Sequence, residues 1–120
     1  MEGVTLTQLI EKMKLQNLTP EIDVTDIRLT QPDINRPALQ LAGYFEHFDA
    51  TRLQIIGFVE YSYMESLPEM RKREIYNEFM EYDVSAVVFC RELKPDPIFM
   101  QAALAHRIPL LSPRKSTSSF

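Results

Sequence analysis

The side chains able to do chemistry in this chain are few and scattered. Its 120 residues include 2 histidines, 1 cysteine and 17 acidic residues. His47, Cys90 and His106 could each ligate a metal, but their separation matches no short ligand motif. His106 ends an apolar helical stripe, where an imidazolium would meet the negative end of the helix dipole. His47 lies among Tyr44, Phe45 and Phe48 and reads as a packing or surface residue, with contact to a ligand as the alternative. Cys90 follows Val87, Val88 and Phe89 and reads as an inert thiol in a buried strand. The carboxylate pairs Glu46/Asp49 and Glu78/Glu81 are close in sequence, yet general acid–base work needs a desolvated pair with separated pKa values. Nothing around them indicates desolvation. Arg36 could hold a phosphate or carboxylate through its planar fork; a structural salt bridge or a helix-start contact is the competing role. With glycines only at positions 3, 43 and 57, no glycine-rich loop can cradle a nucleotide, and G-x-x-x-x-G-K-[ST] and G-x-S-x-G are both absent.

The elements that must position these residues are easier to read. Thr5 and Gln8 form a capping box, and Leu6, Leu9, Ile10 and Met13 follow at helical spacing, which predicts a helix over Thr5–Lys14. Val24–Leu29 alternates apolar and polar residues and predicts a half-buried strand. Gln31-Pro32-Asp33 reads as a turn. Pro37 suits the first position of a short helix containing Leu39, Leu41 and Ala42, and Gly43 can end it in a left-handed conformation. Arg52–Gly57 reads as a buried strand. A helix then begins either at a Ser62/Glu65 capping box or slightly earlier, and the two starts are not separable from sequence. Pro68 opens the next helix, with Ile75, Tyr76, Phe79 and Met80 on one face.

The last third is the most regular. Ser85–Cys90 is a continuous apolar run, as expected of a strand covered on both faces. Asp96 caps a helix with Pro97 at its first position; Ile98, Ala102 and Ala105 share a stripe, with Phe99 and Ala103 beside it, and the helix ends near His106. Ile108–Leu111 is another short strand. This strand–helix–strand sequence is a βαβ unit, so the expected fold is α/β: a single small layered domain, a mainly parallel sheet flanked by helices.

Composition sets the class. The hydrophobic share of 45% and charged share of 25% are those of an ordinary globular domain. A net charge of −4 argues against nucleic acid. Arg71, Lys72 and Arg73 alternate with Glu69 and Glu74 and read as a solvated helix face. A single cysteine suits a reducing compartment. No apolar run reaches the length of a membrane span and no signal peptide is visible, so a cytoplasmic location without membrane contact is expected. Met64, Met70, Met80, Met100 and the aromatic residues read mostly as core, with the Tyr44–Phe48 stretch as the candidate partner surface.

One segment carries more than composition. Asp33–Phe45 (D-I-N-R-P-A-L-Q-L-A-G-Y-F) resembles the D-I-S-R-P-G-L-E-L-A-G-Y-F signature of the N-terminal domain of bacterial HPr kinase/phosphorylase. Arg52–Gly57 is similar to that family's E-R-I-Q-L-L-G, Ala86–Pro95 to A-I-I-V-T-R-G-L-E-P, Ile108–Leu111 to I-P-V-L, and Ser116-Thr117 to S-T. The matches are collinear and cover nearly the whole chain. Departures are Asn35 for the usual serine, Ala38 for glycine, Val59 for a helix-capping threonine, and Leu18–Asp23 for a glycine-bearing loop.

The resemblance implies a fold similar to the first domain of Mur ligases, with residues 1–112 as the domain and 113–120 as the start of a linker toward a C-terminal P-loop kinase domain. It implies a non-catalytic regulatory or assembly domain of a bifunctional HPr serine kinase/phosphorylase that controls carbon catabolite repression. No catalytic, cofactor or metal residue is expected in this part, with ATP and magnesium belonging to the catalytic domain. The implied partners are that domain and the HPr phosphocarrier, with a homo-oligomer in the full-length protein. Asn35, Arg36, Tyr44, Phe45 and His47 form the candidate ligand or partner surface. A stand-alone small-molecule sensor or protein-interaction module of the same fold is the alternative.

Overall fold

The computed structural model describes residues 4–29, 34–46, 48–90 and 93–113. In chain order the elements are β1 (Val4–Thr5), α1 (Leu6–Lys12), β2 (Leu15–Asn17), β3 (Arg28–Leu29), β4 (Ile34–Asn35), α2 (Ala38–Leu41), β5 (Leu53–Ile56), α3 (Phe58–Glu65), α4 (Glu69–Met80), β6 (Val87–Phe89), α5 (Pro97–His106) and β7 (Leu110–Pro113). The main sheet has the order β2-β7-β6-β5-β4. Strands β4 to β7 run parallel, and β2 pairs antiparallel with β7 at one edge. The α/β layered fold with a mainly parallel sheet is therefore as expected.

Side-chain alternation along the strands builds a core on each face. Val87 and Phe89 join Ile56 and Leu110 beneath α2–α5, where Leu41, Met64, Ile75, Tyr76, Phe79 and Phe99 complete the larger core. Val88, Leu53 and Leu111 point the other way, onto Leu6, Leu15 and Leu29. The continuous apolar run of β6 follows from burial on both faces.

Local chemistry sets the helix ends. Thr5 Oγ1 accepts from Gln8 N at 3.1 Å, and Gln8 Oε1 accepts from Thr5 N at 3.0 Å, the reciprocal box read from sequence. Asp96 Oδ1 accepts from Phe99 N at 2.8 Å, with Pro97 at the first position of α5. At the end of α2, Gly43 takes φ 100°, and Tyr44 N and Gly43 N bond back to the Leu39 and Gln40 carbonyls, satisfying orphan acceptors.

Several expectations need correction. The strand read at Val24–Leu29 is reduced to Arg28–Leu29, which pairs with β1. Asp23 Oδ1 holds Thr25 N and Oγ1, and Ile27 N bonds to the Val24 carbonyl, so a turn replaces the alternation. The last strand begins two residues later than read and continues through Ser112 to Pro113, because β2 pairs with it. Gln16 Nε2 donates to Ser112 Oγ at 2.9 Å across that pair. Cys90 is half-buried just past β6 rather than within it. The Gln31–Asp33 turn, His47 and the Ser116-Thr117 match lie outside the described residues. No helix of the described residues is long and apolar enough to cross a membrane.

Candidate functional site

Parallel strands bring their carboxyl ends to one edge of the molecule, the place where open α/β sheets hold ligands. Here that edge gathers Asn35 and Arg36 from β4, Gly57 and the start of α3 from β5, and Cys90 from β6. Of the expected surface residues, Asn35 and Arg36 belong to it directly.

Arg36 is engaged by a residue of the opposite strand connection. Glu60 Oε1 accepts from Arg36 Nη2 at 2.9 Å and from Arg36 Nε at 3.3 Å. The same oxygen accepts from Gly57 N at 2.8 Å, because Glu60 occupies the third position of α3 and reaches back over the helix start. Glu60 is 3% exposed, whereas the Arg36 side chain is 49% exposed. Burial pushes the Glu60 carboxyl up, but Arg36 and the backbone N–H groups outweigh it, leaving the group below the usual carboxylate range. The hydrogen bond to Glu60 in turn holds the Arg36 guanidinium more firmly charged. Gly57 makes room for the pair: a Cβ there would stand 2.3 Å from Arg36 Nη2. Its φ of −105° suits any residue, so the need for glycine here is spatial.

Behind the ion pair lies an amide network. Asn35 Nδ2 donates to Gln54 Oε1 at 2.7 Å and to Gln40 Oε1 at 3.2 Å. Gln54 Nε2 donates to the Arg52 carbonyl, and Gln40 Nε2 reaches the Tyr44 carbonyl at 3.4 Å. Gln54 is fully buried and Gln40 nearly so. Asn35 therefore fastens α2 to β5 with both of its amide protons. A serine, with one hydroxyl proton, could donate to only one of these acceptors.

Tyr44 and Phe45 separate from this edge. Tyr44 is exposed, with its hydroxyl donating to Glu46 Oε1 at 3.3 Å. Phe45 turns inward: it stacks on Tyr82 at 4.7 Å and meets Phe48 edge-on at 5.9 Å, over the end of α4. That aromatic group closes the larger core. Sequence reasoning missed Glu60, Gly57, Gln40 and Gln54. Gly57-x-x-Glu60 carried a signal, since glycine is an accepted N-cap and glutamate suits the third helical position.

A second charged cluster joins α4 to α5. Asp96 Oδ2 accepts from Lys72 Nζ at 3.4 Å and from Tyr76 Oη at 3.5 Å. Burial, followed by the Asp96 charge, pushes the Tyr76 phenol well above its ordinary value. Around it, Arg73–Glu69 and Arg71–Glu74 pair along the exposed face of α4, as read from sequence. His106 Nε2 lies 3.1 Å from Asn77 Oδ1 at the end of α5. An open groove of about 630 Å³ runs along α3, lined by Phe58, Val59, Ser62, Tyr63 and Ser66.

Comparison with known proteins places this geometry. The family model described as HPr Serine kinase N terminus matches residues 4–120. The chain is 44% identical to the HPr kinase/phosphorylase of Lachnoclostridium phytofermentans over 120 residues, which is 100% of this chain and 39% of that protein. It is 35% identical over 115 residues to the HPr kinase/phosphorylase of Streptococcus pyogenes, covering 96% of this chain and 37% of that one. Against that of Alkaliphilus metalliredigens the identity is 30% over 118 residues, 98% and 38% of the two chains. Among solved structures, the CBS and DRTGG regulatory region of Clostridium perfringens pyrophosphatase, complexed with diadenosine tetraphosphate, superposes with a TM-score of 0.56. That match has 15% identity and covers 95% of this chain and 43% of that one, a likeness of fold.

Proposed function

The chain belongs to the HPr Serine kinase N terminus family, and from that membership we propose that it is the non-catalytic, regulatory or assembly domain of a bifunctional HPr serine kinase/phosphorylase. It spans about two fifths of the length of the curated relatives it matches. The observation that carries the reading is the state of the sheet's carboxyl end. Where such folds receive a ligand, this chain has placed its own guanidinium on its own buried carboxylate, Arg36 on Glu60, directly over Gly57. Its three glycines stand apart in sequence, so no glycine-rich loop offers a phosphate cradle.

The chemistry then belongs to the rest of the parent polypeptide. There a P-loop domain would bind ATP and magnesium, transfer phosphate to a serine of HPr and remove it again, linking sugar supply to carbon catabolite repression. The parent would be cytoplasmic and assemble as a homo-oligomer. Asn35, Arg36 and Tyr44 remain the exposed or half-exposed residues of the proposed regulatory surface.

The test is to incubate the 120-residue chain with ATP, magnesium and HPr beside the longer gene product. The longer protein is expected to form phosphoserine on HPr, and the domain alone none. Phosphoserine made by the domain alone overturns the reading.

A further inference from the structure

Among the described residues, the apolar first turn of α3 is unpartnered. Phe58 is 73% exposed, Val59 69% and Tyr63 41%. Phe58 and Ser62, and Val59 and Tyr63, are four residues apart, so they share one helix face with Ser66. The opposite face holds Glu60 and Met64, both buried, which fixes the rotation of the helix and leaves the apolar strip outward. Among the described residues, no charged side chain lines the groove. A surface that matches it must be apolar too, since large exposed apolar patches mark contact sites.

Topology says which part of the polypeptide comes near. β5 and β7 are parallel to the same central strand β6, and their registers align Ile56 with Phe89 and Val88 with Leu111. Continuing the ladder by single residues sets Gly57, Cys90 and Pro113 at one level. The chain therefore passes Pro113 at the sheet end where α3 begins. The two positions are separated by two strand spacings, roughly 10 Å. In the relatives, about 61% of the length lies outside the matched part, by subtraction from the 39% covered, and the matched part is the N terminus. The bulk of such a protein is delivered to this edge.

We propose that Phe58, Val59 and Tyr63 are the seat for the part of the parent polypeptide that follows Pro113. This rests on the reading of the chain as the N-terminal domain of a longer kinase. The seat joins the following domain to the helix that carries Glu60, so docking there would couple to the Arg36 clasp.

Hydrogen exchange in two proteins tests it: the 120-residue chain and the longer gene product. The backbone N–H groups of residues 61–66 are expected to exchange about tenfold slower or more in the longer protein, because docking suppresses local opening of α3. Phe58→Ser with Val59→Ser should remove that protection while leaving the melting temperature of the isolated chain within a few degrees, as surface changes do. Equal exchange in both proteins overturns the proposal. So does protection that appears in the isolated chain as its concentration rises, which would make a second copy the occupant. Phosphoserine formation on HPr by the longer protein is read separately, so loss of the kinase assignment is distinguishable from loss of the docking contact.

Discussion

Two carboxylates guard helix starts in this domain, and they differ in what surrounds them. Glu60 is almost wholly buried, beneath a half-exposed Arg36, and one of its oxygens takes Arg36 and the Gly57 N–H together. Asp96 keeps a side chain 22% exposed and divides its work: Oδ1 caps α5, while Oδ2 faces Lys72 and Tyr76 at 3.4 and 3.5 Å. The first arrangement is a lock whose failure is one-sided, because removing Arg36 strands the buried Glu60 charge, whereas removing Glu60 leaves a half-exposed guanidinium that water can solvate. The second is a cap with a loose ion pair attached, and its parts can be lost one at a time. The difference locates the special feature of the domain at the carboxyl end of the sheet, where a strand connection, a glycine and a helix start depend on one another.

The sharpest break of that contrast is Arg36→Ala. It leaves Glu60 charged, buried and held only by backbone N–H groups, and should cost about 2–3 kcal/mol, below the full range for buried pairs because Arg36 is half-exposed. Gly57→Ala should cost less, about 1 kcal/mol, since the added Cβ meets the far end of a half-exposed, flexible side chain, which can shift at the expense of its hold on the carboxylate. In an Arg36→Ala background the same Gly57→Ala change should cost less than about 0.5 kcal/mol, a coupling that additive sites do not show. Urea titrations of the four proteins check this. Additive losses would mean that Arg36 and Gly57 act independently.

Asp96→Ala should be milder, at about 1–2 kcal/mol, the usual loss for an N-cap plus a small ion-pair contribution. Lys72→Ala should cost under about 1 kcal/mol, because the pair is long and partly solvated. Thermal melts of both variants sharpen the comparison. A Lys72→Ala loss as large as that of Asp96→Ala would show the second cluster to be a lock like the first.

What the sequence made legible follows the same division. The α5 start was readable because Asp96, Pro97 and Phe99 are neighbours and the capping chemistry is local. The same holds for Thr5 with Gln8 and for the buried face of α4. Arg36 was recognisable as a residue with a choice of roles, including a structural salt bridge. Its partner lies 24 positions away and is brought near only by the parallel pairing of β4 with β5. Strands β1, β2 and β4 were not read at all. They are two or three residues long and exist through partners elsewhere in the chain, as Leu15 does opposite Pro113. Phe45 was read as a candidate surface residue because its aromatic neighbours were visible, whereas Tyr82, on which it stacks, was not associated with it.

The smallest expected effect concerns acid, and it separates the native chain from Arg36→Ala by sign. Glu60 sits below its ordinary pKa in the folded chain, so its contribution is complete above the unfolded value of about 4.3 and is lost as pH falls through the folded value. Stability of the native chain should therefore decline on acidification below that point. Removing Arg36 removes the leading opposition to burial, and the Glu60 carboxyl should then move above its unfolded value. Such a group binds its proton more tightly when folded, so the variant should gain stability relative to the native chain as pH falls from neutral toward the unfolded value. The gap between the two proteins should narrow on acidification, since a protonated Glu60 no longer requires a cation. Urea midpoints of the two proteins across this range decide the matter: parallel curves for native and Arg36→Ala would mean that Glu60 does not carry its charge into the fold, and the lock would then be a set of neutral hydrogen bonds.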